Sequence, residues 1–265
     1  MLFRIGDRRI AFDFLGPADA PVLCMAHALS ADSSIWSEQV HALLARDWRV
    51  LRIDMRGHGG SDMVAGPWTM SDLADDVVQV LDFLELPQVH FTGVSIGGMI
   101  GQTLALEHPD RILSLILSGT SPRAVPGPAS MWPDRFAAIE REGSLEAIAD
   151  DAMRRWFTPT FRARRPRRWK QVRSVIANTP AEAYVAGARA IIAFDVLDRL
   201  SAIRVPTIVA CGDGDEGTPP EGNRLIANRI PGARYEEIGN ARHVPMMEHP
   251  ETFNQMMINW LAHRR

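Results

Sequence analysis

In the segment Val89-His90-Phe91-Thr92-Gly93-Val94-Ser95-Ile96-Gly97-Gly98-Met99, an apolar run that suits a buried strand meets, with no spacer, a G-x-S-x-G pentapeptide and then a helical pattern. The glycines on either side of the serine answer a steric demand. A strand that turns sharply into a helix crowds its own backbone and draws the helix against the strand, and a residue without a Cβ fits best there. Gly98 and Gly101 continue this small face. The arrangement predicts that Ser95 stands at the tip of the strand, its hydroxyl exposed and a helix N-terminus beneath it, which is the station of a nucleophile.

Outward from this turn, strand and helix patterns alternate. Arg9 to Phe14, Val22 to Met25 and Arg49 to Ile53 read as strands flanked by turn residues such as Gly16, Pro17 and Pro21. From Met70 the apolar positions Leu73, Val77, Leu81 and Leu84 recur at three- and four-residue steps, one face of an amphipathic helix with Ser71 or Thr69 as its cap and Pro87 as its stop. The strand Val89 to Thr92 leads into a helix from Ile96 to Leu106, and Ile112 to Leu117 forms the next strand. Such alternation implies an α/β fold, a mostly parallel sheet flanked by helices.

The regularity stops after Ser118. Ser121 to Pro133 holds four prolines, and the residues beyond it have helical periodicity without a strand. The sheet pattern resumes with a strand at Thr207 to Ala210, a helix at Pro219 to Arg229, a strand at Ala233 to Ile238 and a closing helix at Glu251 to His263. One core, residues 1–121 and 204–265, is therefore expected to carry a helical cap, residues 122–203. The cap would lie over the C-terminal ends of the strands, where open α/β sheets bind ligands.

A serine hydroxyl attacks poorly at neutral pH unless a base takes its proton and an acid orients that base. Of the eight histidines, His243 lies in the loop between the last predicted strand and the last helix, and the order serine, acid, histidine is the one this kind of turn uses. His249 precedes Pro250 at a helix start and reads as a capping or surface residue. His41, His90, His108 and His263 fall on helix faces, helix ends or a strand and read as solvated or packed rings. The acid should follow the strand Thr207 to Ala210, where Asp213, Asp215 and Glu216 stand together. Position alone does not choose among them; Asp215 is preferred because it directly precedes the turn Gly217-Thr218-Pro219, whereas Asp213 between two glycines suits a turn former.

Acyl transfer also needs donors aimed at the oxygen that becomes negative. The backbone N–H of Ile96 is one candidate, and that of Leu29 in the loop His27-Ala28-Leu29-Ser30 is the other. His27 reads as a brace for this loop. The run Asp54 to Asp62, DMRGHGGSD, is rich in glycine and follows a strand, but it lacks the Lys and Ser or Thr of a phosphate loop and the spacing of a dinucleotide fingerprint. It reads as a hydrogen-bonded turn with Arg56 and Asp62 as partners.

The whole chain restricts the class of function. Its 265 residues are 46% hydrophobic and 23% charged, ordinary for a globular protein. A net charge of -3 provides no global attraction to nucleic acid or an anionic membrane, which leaves small-molecule chemistry as the default. Arg4 and Asp7 interrupt the stretch where a secretory signal would be apolar, and no segment has the apolar length of a membrane helix, so a cytoplasmic location is expected. Cys24 and Cys211 each fall in or beside an apolar strand and read as reduced, inert thiols rather than a disulfide or metal pair.

With these residues in place the chain resembles the α/β-hydrolase superfamily along nearly its whole length, and within it is most similar to the 3-oxoadipate enol-lactonases of aromatic catabolism. The likeness is carried by Arg52 to Asp62 with its RGHGGSD end, by GVSIGGMIGQ from Gly93 to Gln102, by Met131 and Trp132, by RWFTP from Arg155 to Pro159 and by DEGTPP from Asp215 to Pro220. The first two runs are shared by many hydrolases; those of the cap are more specific. In that family the acid precedes the T-P-P turn, so the resemblance points to Asp215. The chain departs at the oxyanion loop, where those lactonases carry an Asn-Ser-Leu-Gly type sequence and this one has His27-Ala28-Leu29-Ser30, closer to the wider esterase pattern.

The resemblance implies hydrolysis of a small ester or lactone through an acyl-enzyme on Ser95, with His243 as base, Asp215 as its orienting acid, Leu29 and Ile96 holding the oxyanion, and no metal or organic cofactor. An enol-lactone of this family bears a free carboxylate. The cap run Arg162 to Arg173, with six arginines and one lysine, is a candidate to meet it, although such a run also reads as a solvated helix face. Trp132 and Trp156 are candidate walls of the pocket. The alternatives are a carboxylesterase or a lactonase for another ring, a cofactor-free perhydrolase or haloperoxidase, and, outside enzymes, a small-molecule receptor. Oligomeric state is left open.

Overall fold

The computed structural model describes residues 1–6, 8–124, 131–262 and 264. The middle of the proline-rich stretch and the expected helix end at His263 lie outside the described residues. The sheet contains β1 (Leu2–Ile5), β2 (Arg8–Leu15), β3 (Val22–Ala26), β4 (Arg49–Ile53), β5 (Val89–Val94), β6 (Ile112–Ser118), β7 (Thr207–Gly212) and β8 (Arg234–Ile238). Their order across the sheet is β1-β2-β4-β3-β5-β6-β7-β8. From β4 to β8 every pairing is parallel, while β1 pairs with β2 and β2 with β4 antiparallel.

Burial explains the strand sequences. The central strands β3, β5 and β7 are buried along their whole length, because helices cover both faces, and such strands read as continuous apolar runs rather than alternating ones. β1, with Leu2 exposed at the sheet edge, lacks such a run and was not evident from strand patterning. Helices α1 (Ser37–Leu44), α2 (Met70–Phe83) and α3 (Ile96–Glu107) lie in the first part of the chain. Thr69 caps α2 in a reciprocal capping box with Asp72, which satisfies two otherwise orphaned N–H groups. α3 is apolar almost all round because β5, β6 and α2 surround it.

Among the described residues, five α-helices lie between β6 and β7: α4 (Trp132–Glu142), α5 (Glu146–Trp156), α6 (Pro159–Arg164), α7 (Pro166–Asn178) and α8 (Ala181–Ala193). They are seated on the loops at the C-terminal ends of the strands. Gly187 of α8 abuts Leu29, Thr179 Oγ1 donates to the Ser30 carbonyl at 3.2 Å, and Arg168 pairs with Glu38 of α1 at 2.9 Å. The chain closes with α9 (Pro220–Arg229), α10 (Pro245–Glu248) and α11 (Pro250–Leu261). Among the described residues, no helix is long and apolar enough to cross a membrane.

The strand–helix turn at Ser95 is as tight as its glycines imply. A Cβ on Gly93 would fall on the Gly97 carbonyl, and one on Gly97 would fall on the Ala26 carbonyl. Both obstacles are backbone, so neither can rotate away. Gly93→Ala is accordingly expected to cost about 3 kcal/mol or more in urea unfolding; a loss within about 0.5 kcal/mol, the range of neutral surface substitutions, would contradict this packing.

Candidate active site

Ser95 occupies φ 60° and ψ -120°, a left-handed station that costs a non-glycine residue on the order of 1–3 kcal/mol. The surroundings compel it. Its N–H donates to the Ser118 carbonyl at 3.0 Å, and its carbonyl accepts from Gly98 N at 2.9 Å and Met99 N at 3.1 Å, with Thr120 Oγ1 donating to the same oxygen at 2.7 Å. The backbone is thus held on both sides while the side chain lines a cavity.

Asp215 and His243 meet at this cavity's edge. His243, in the loop after β8, donates from Nδ1 to Asp215 Oδ2 at 2.9 Å. This bond commits Nδ1 to Asp215 and leaves Nε2 as the ring's other nitrogen. The Asp215 carboxylate, in the loop after β7, also accepts from Gly217 N at 2.9 Å, Thr218 N at 3.0 Å and Thr218 Oγ1 at 2.8 Å. Burial alone would push this carboxyl up; the adjacent His243, its hydrogen bond and the Thr218 donors outweigh burial and hold it below the usual carboxylate range. Ser95 and His243 line the same cavity, and no hydrogen bond joins them here. Asp213 instead accepts from Ala241 N at 3.2 Å, which anchors the histidine loop, and Glu216 is exposed beside Arg242 at 3.8 Å.

The other expected donors sit as follows. Among the described residues, the N–H groups of Leu29 and Ile96 donate to no protein acceptor, and Leu29 lines the cavity with Ser95. The loop around Leu29 is braced by two buried imidazoles. His27 Nδ1 bonds the Ala28 carbonyl at 2.8 Å and Nε2 accepts from Met55 N at 2.9 Å. His58 Nδ1 bonds the Arg56 carbonyl at 3.0 Å and Nε2 accepts from Ser30 N at 3.2 Å. Each ring donates from one nitrogen and accepts at the other, so each must be neutral. Burial pushes both below their ordinary value, His58 to about 3.

The Asp54 to Asp62 segment is a hydrogen-bonded turn, but the expected Arg56–Asp62 partnership is not formed. Arg56 grips Asp76 of α2 through two bonds, at 2.6 and 2.7 Å, and Asp62 is taken by Arg9 of β2 at 2.8 Å. Each charge has a better-placed opposite on a neighbouring element. Asp54 organises the turn itself, accepting from Ser33 N at 2.7 Å and Gly60 N at 2.9 Å. His249 is partly exposed, its Nε2 bonding the Asn240 carbonyl at 3.0 Å.

The cavity, of about 130 Å³, has Trp132 and Trp156 among its lining residues on the helical side. The Trp156 ring lies 5.9 Å from that of His243. The run Arg162 to Arg173 contributes nothing to the lining. Arg168 is paired with Glu38, and Arg173 with Glu146 and Asp150, because α6 and α7 stand away from the cavity. Three arginines that the sequence reading missed line it instead: Arg123, Arg135 and Arg155. Their signal was adjacency: Arg135 follows Trp132 by one helical turn, and Arg155 immediately precedes Trp156. Among the described residues, no acidic side chain lines the cavity.

The family model of the α/β-hydrolase fold matches residues 21–250. The chain is an α/β hydrolase. It is 33% identical over 248 residues to 3-oxoadipate enol-lactonase 2 of Acinetobacter baylyi, with 94% of this chain and 91% of that one covered. The enol-lactonase of Burkholderia xenovorans LB400 superposes with a TM-score of 0.93 at 33% identity, covering 99% of this chain and 100% of that one. A thermophilic esterase from Thermogutta terrifontis, solved with malate bound, gives a TM-score of 0.87 at 30% identity over 96% and 93% of the two chains.

The two buried imidazoles give this hydrolase an acid-side weakness. Both folded values lie below the ordinary 6.5, so the stability tied to each neutral ring is complete above pH 6.5 and is lost as the pH falls, for His58 down to about 3, because the unfolded chain takes up protons that the fold refuses. Over the window set by His58, urea unfolding should weaken by about 1.4 kcal/mol per pH unit through that ring. His58→Gln should reduce this slope by one ring's share; an unchanged slope would show that His58 is not held neutral.

Proposed function

We propose that this hydrolase opens a small lactone or ester that carries a free carboxylate, most closely an enol-lactone such as 3-oxoadipate enol-lactone, through an acyl-enzyme on Ser95. The observation that carries this reading is a cavity in which Ser95, His243 and three arginines converge with no acidic side chain among the described lining residues. A neutral ester has no use for such charge. Arg135 and Arg155 are 12% and 16% exposed and share Asp151 at 3.1 and 2.8 Å, and Arg135 Nε is buried without a partner among the described residues. Each guanidinium has more terminal N–H donors than these bonds use, and they are the groups we assign to a substrate carboxylate. The malate-bound esterase, whose ligand is a dicarboxylate, is consistent with an anionic occupant.

In the proposed reaction Ser95 Oγ attacks the lactone carbonyl and its proton passes to His243 Nε2. The Leu29 and Ile96 N–H groups receive the developing oxyanion, and Asp215 stabilises the imidazolium. The ring C–O bond then breaks, and the leaving enolate or alkoxide takes the proton from His243. Water attacks the acyl group, His243 again removing the proton, and Ser95 leaves as a hydroxyl.

Ser95→Ala should abolish turnover of enol-lactone while the circular dichroism spectrum is retained; near-native hydrolysis by this variant would end the assignment. The substrate class has a separate test. Replacing Arg135 and Arg155 by Ala should weaken kcat/KM for the carboxylate-bearing lactone by about 10–100-fold per lost charged hydrogen bond, with hydrolysis of neutral p-nitrophenyl acetate little changed. An equal loss on both substrates would remove the arginines from recognition and favour a simple esterase.

A further inference from the structure

We propose that Asn223 is a positioning residue whose single amide holds the Ser95 turn in register with the Asp215–His243 pair. The proposal rests on the reading of Ser95 as nucleophile. Asn223 stands in the first turn of α9 and is fully buried. Its Oδ1 accepts the Thr120 N–H at 3.0 Å, and Thr120 Oγ1 donates to the Ser95 carbonyl at 2.7 Å. Its Nδ2 donates to the carbonyls of Thr218 at 2.8 Å and Pro219 at 3.2 Å. Thr218 in turn gives both its N–H and its hydroxyl to Asp215, which orients His243.

One side chain thus joins the loop after β6 to the loop after β7, beyond the backbone bond from Gly119 N to the Ala210 carbonyl at 2.9 Å. From its oxygen, two hydrogen bonds lead to the serine's own carbonyl; from its nitrogen, one leads to the residue that grips the acid. Gly119 lies between the branches at φ +46°, where a Cβ would come within 2.9 Å of the His243 carbonyl and 3.1 Å of Asp215 Oδ2. The end of β6 is therefore a wedge in contact with both halves of the site, and Asn223 is the bolt that fixes its far side. A nucleophile and base from distant parts of the chain react only near contact distance, and a misplacement of about 1 Å can cost on the order of a hundredfold.

A merely structural asparagine would affect unfolding and leave the chemistry of folded molecules unchanged, so the test measures reaction at Ser95. A fluorophosphonate phosphonylates an activated serine: the Oγ–P bond forms, the P–F bond breaks, the hydroxyl proton passes to His243 and fluoride leaves. Asn223→Leu, of similar size but without the amide, should slow this labelling by about tenfold or more and lower kcat on p-nitrophenyl acetate in parallel, with KM within about twofold of wild type. Labelling within about twofold of wild type in a folded variant, or an effect confined to KM or to melting temperature, overturns the proposal. Should Asn223→Leu fail to fold, Thr120→Val, which removes only the hydroxyl bond to Ser95, decides: labelling slowed by about threefold or more supports the link, and an unchanged rate overturns it. A Ser95→Ala control separates the two claims, since persistent labelling there would sink the nucleophile assignment itself.

Discussion

A strand that turns into a helix at one residue leaves that residue nowhere to go but positive φ, and the geometry of this protein depends on that constraint at Ser95. The contacts that make room for it are all backbone: Gly93 lies against Gly97, and Gly97 against the end of β3. The strain of the turn is offset by burial of α3 among β5, β6 and α2, and by four hydrogen bonds that leave the serine backbone no alternative. The side chain is thereby displayed at a fixed point at the C-terminal edge of the sheet, and the other groups of the site are arranged relative to it.

The electrostatics around that point are settled by counting donors. Asp215 is buried, which would favour its neutral form, yet four donors, including the His243 ring, are aimed at its two oxygens. The charged form wins, and it assigns the His243 proton to Nδ1. His27 and His58 show the reverse outcome. Each is buried with one backbone carbonyl and one backbone N–H as partners, an environment that suits only the neutral ring. They splice the loop containing Leu29 to the Asp54–Asp62 turn, His27 reaching out from the loop to Met55 and His58 reaching into it from the turn to Ser30.

The helices between β6 and β7 set the chemistry of the cavity's other wall. Their outward arginines are consumed by surface ion pairs such as Arg173 with Glu146 and Asp150; their inward ones, Arg135 and Arg155, converge on one half-exposed carboxylate, Asp151. The same residue type therefore serves two purposes on neighbouring helices, and only its position on the helix distinguishes them. Trp156 links this wall to the histidine loop by packing on His243. The α5–α6 junction is also tied to the histidine loop through Glu248, which accepts from Thr158 N at 2.7 Å and Arg242 N at 2.6 Å.

By itself the sequence determined the alternation of strand and helix, the glycine-framed serine turn, the family, and the loops in which Asp215 and His243 would be found, because these follow from local periodicity and from steric rules that act within a few residues. Position alone did not choose among Asp213, Asp215 and Glu216, where the following turn and the resemblance favoured Asp215; the sequence reading paired Arg56 with Asp62 when each takes a partner from another element, and it overlooked β1, Asn223 and the arginines of the cavity. Those are outcomes of packing between segments far apart in the chain. Which carboxylate a histidine meets, which face of a helix looks inward and which buried amide joins two loops depend on distances of a few ångströms, and only the folded arrangement of the whole chain sets them.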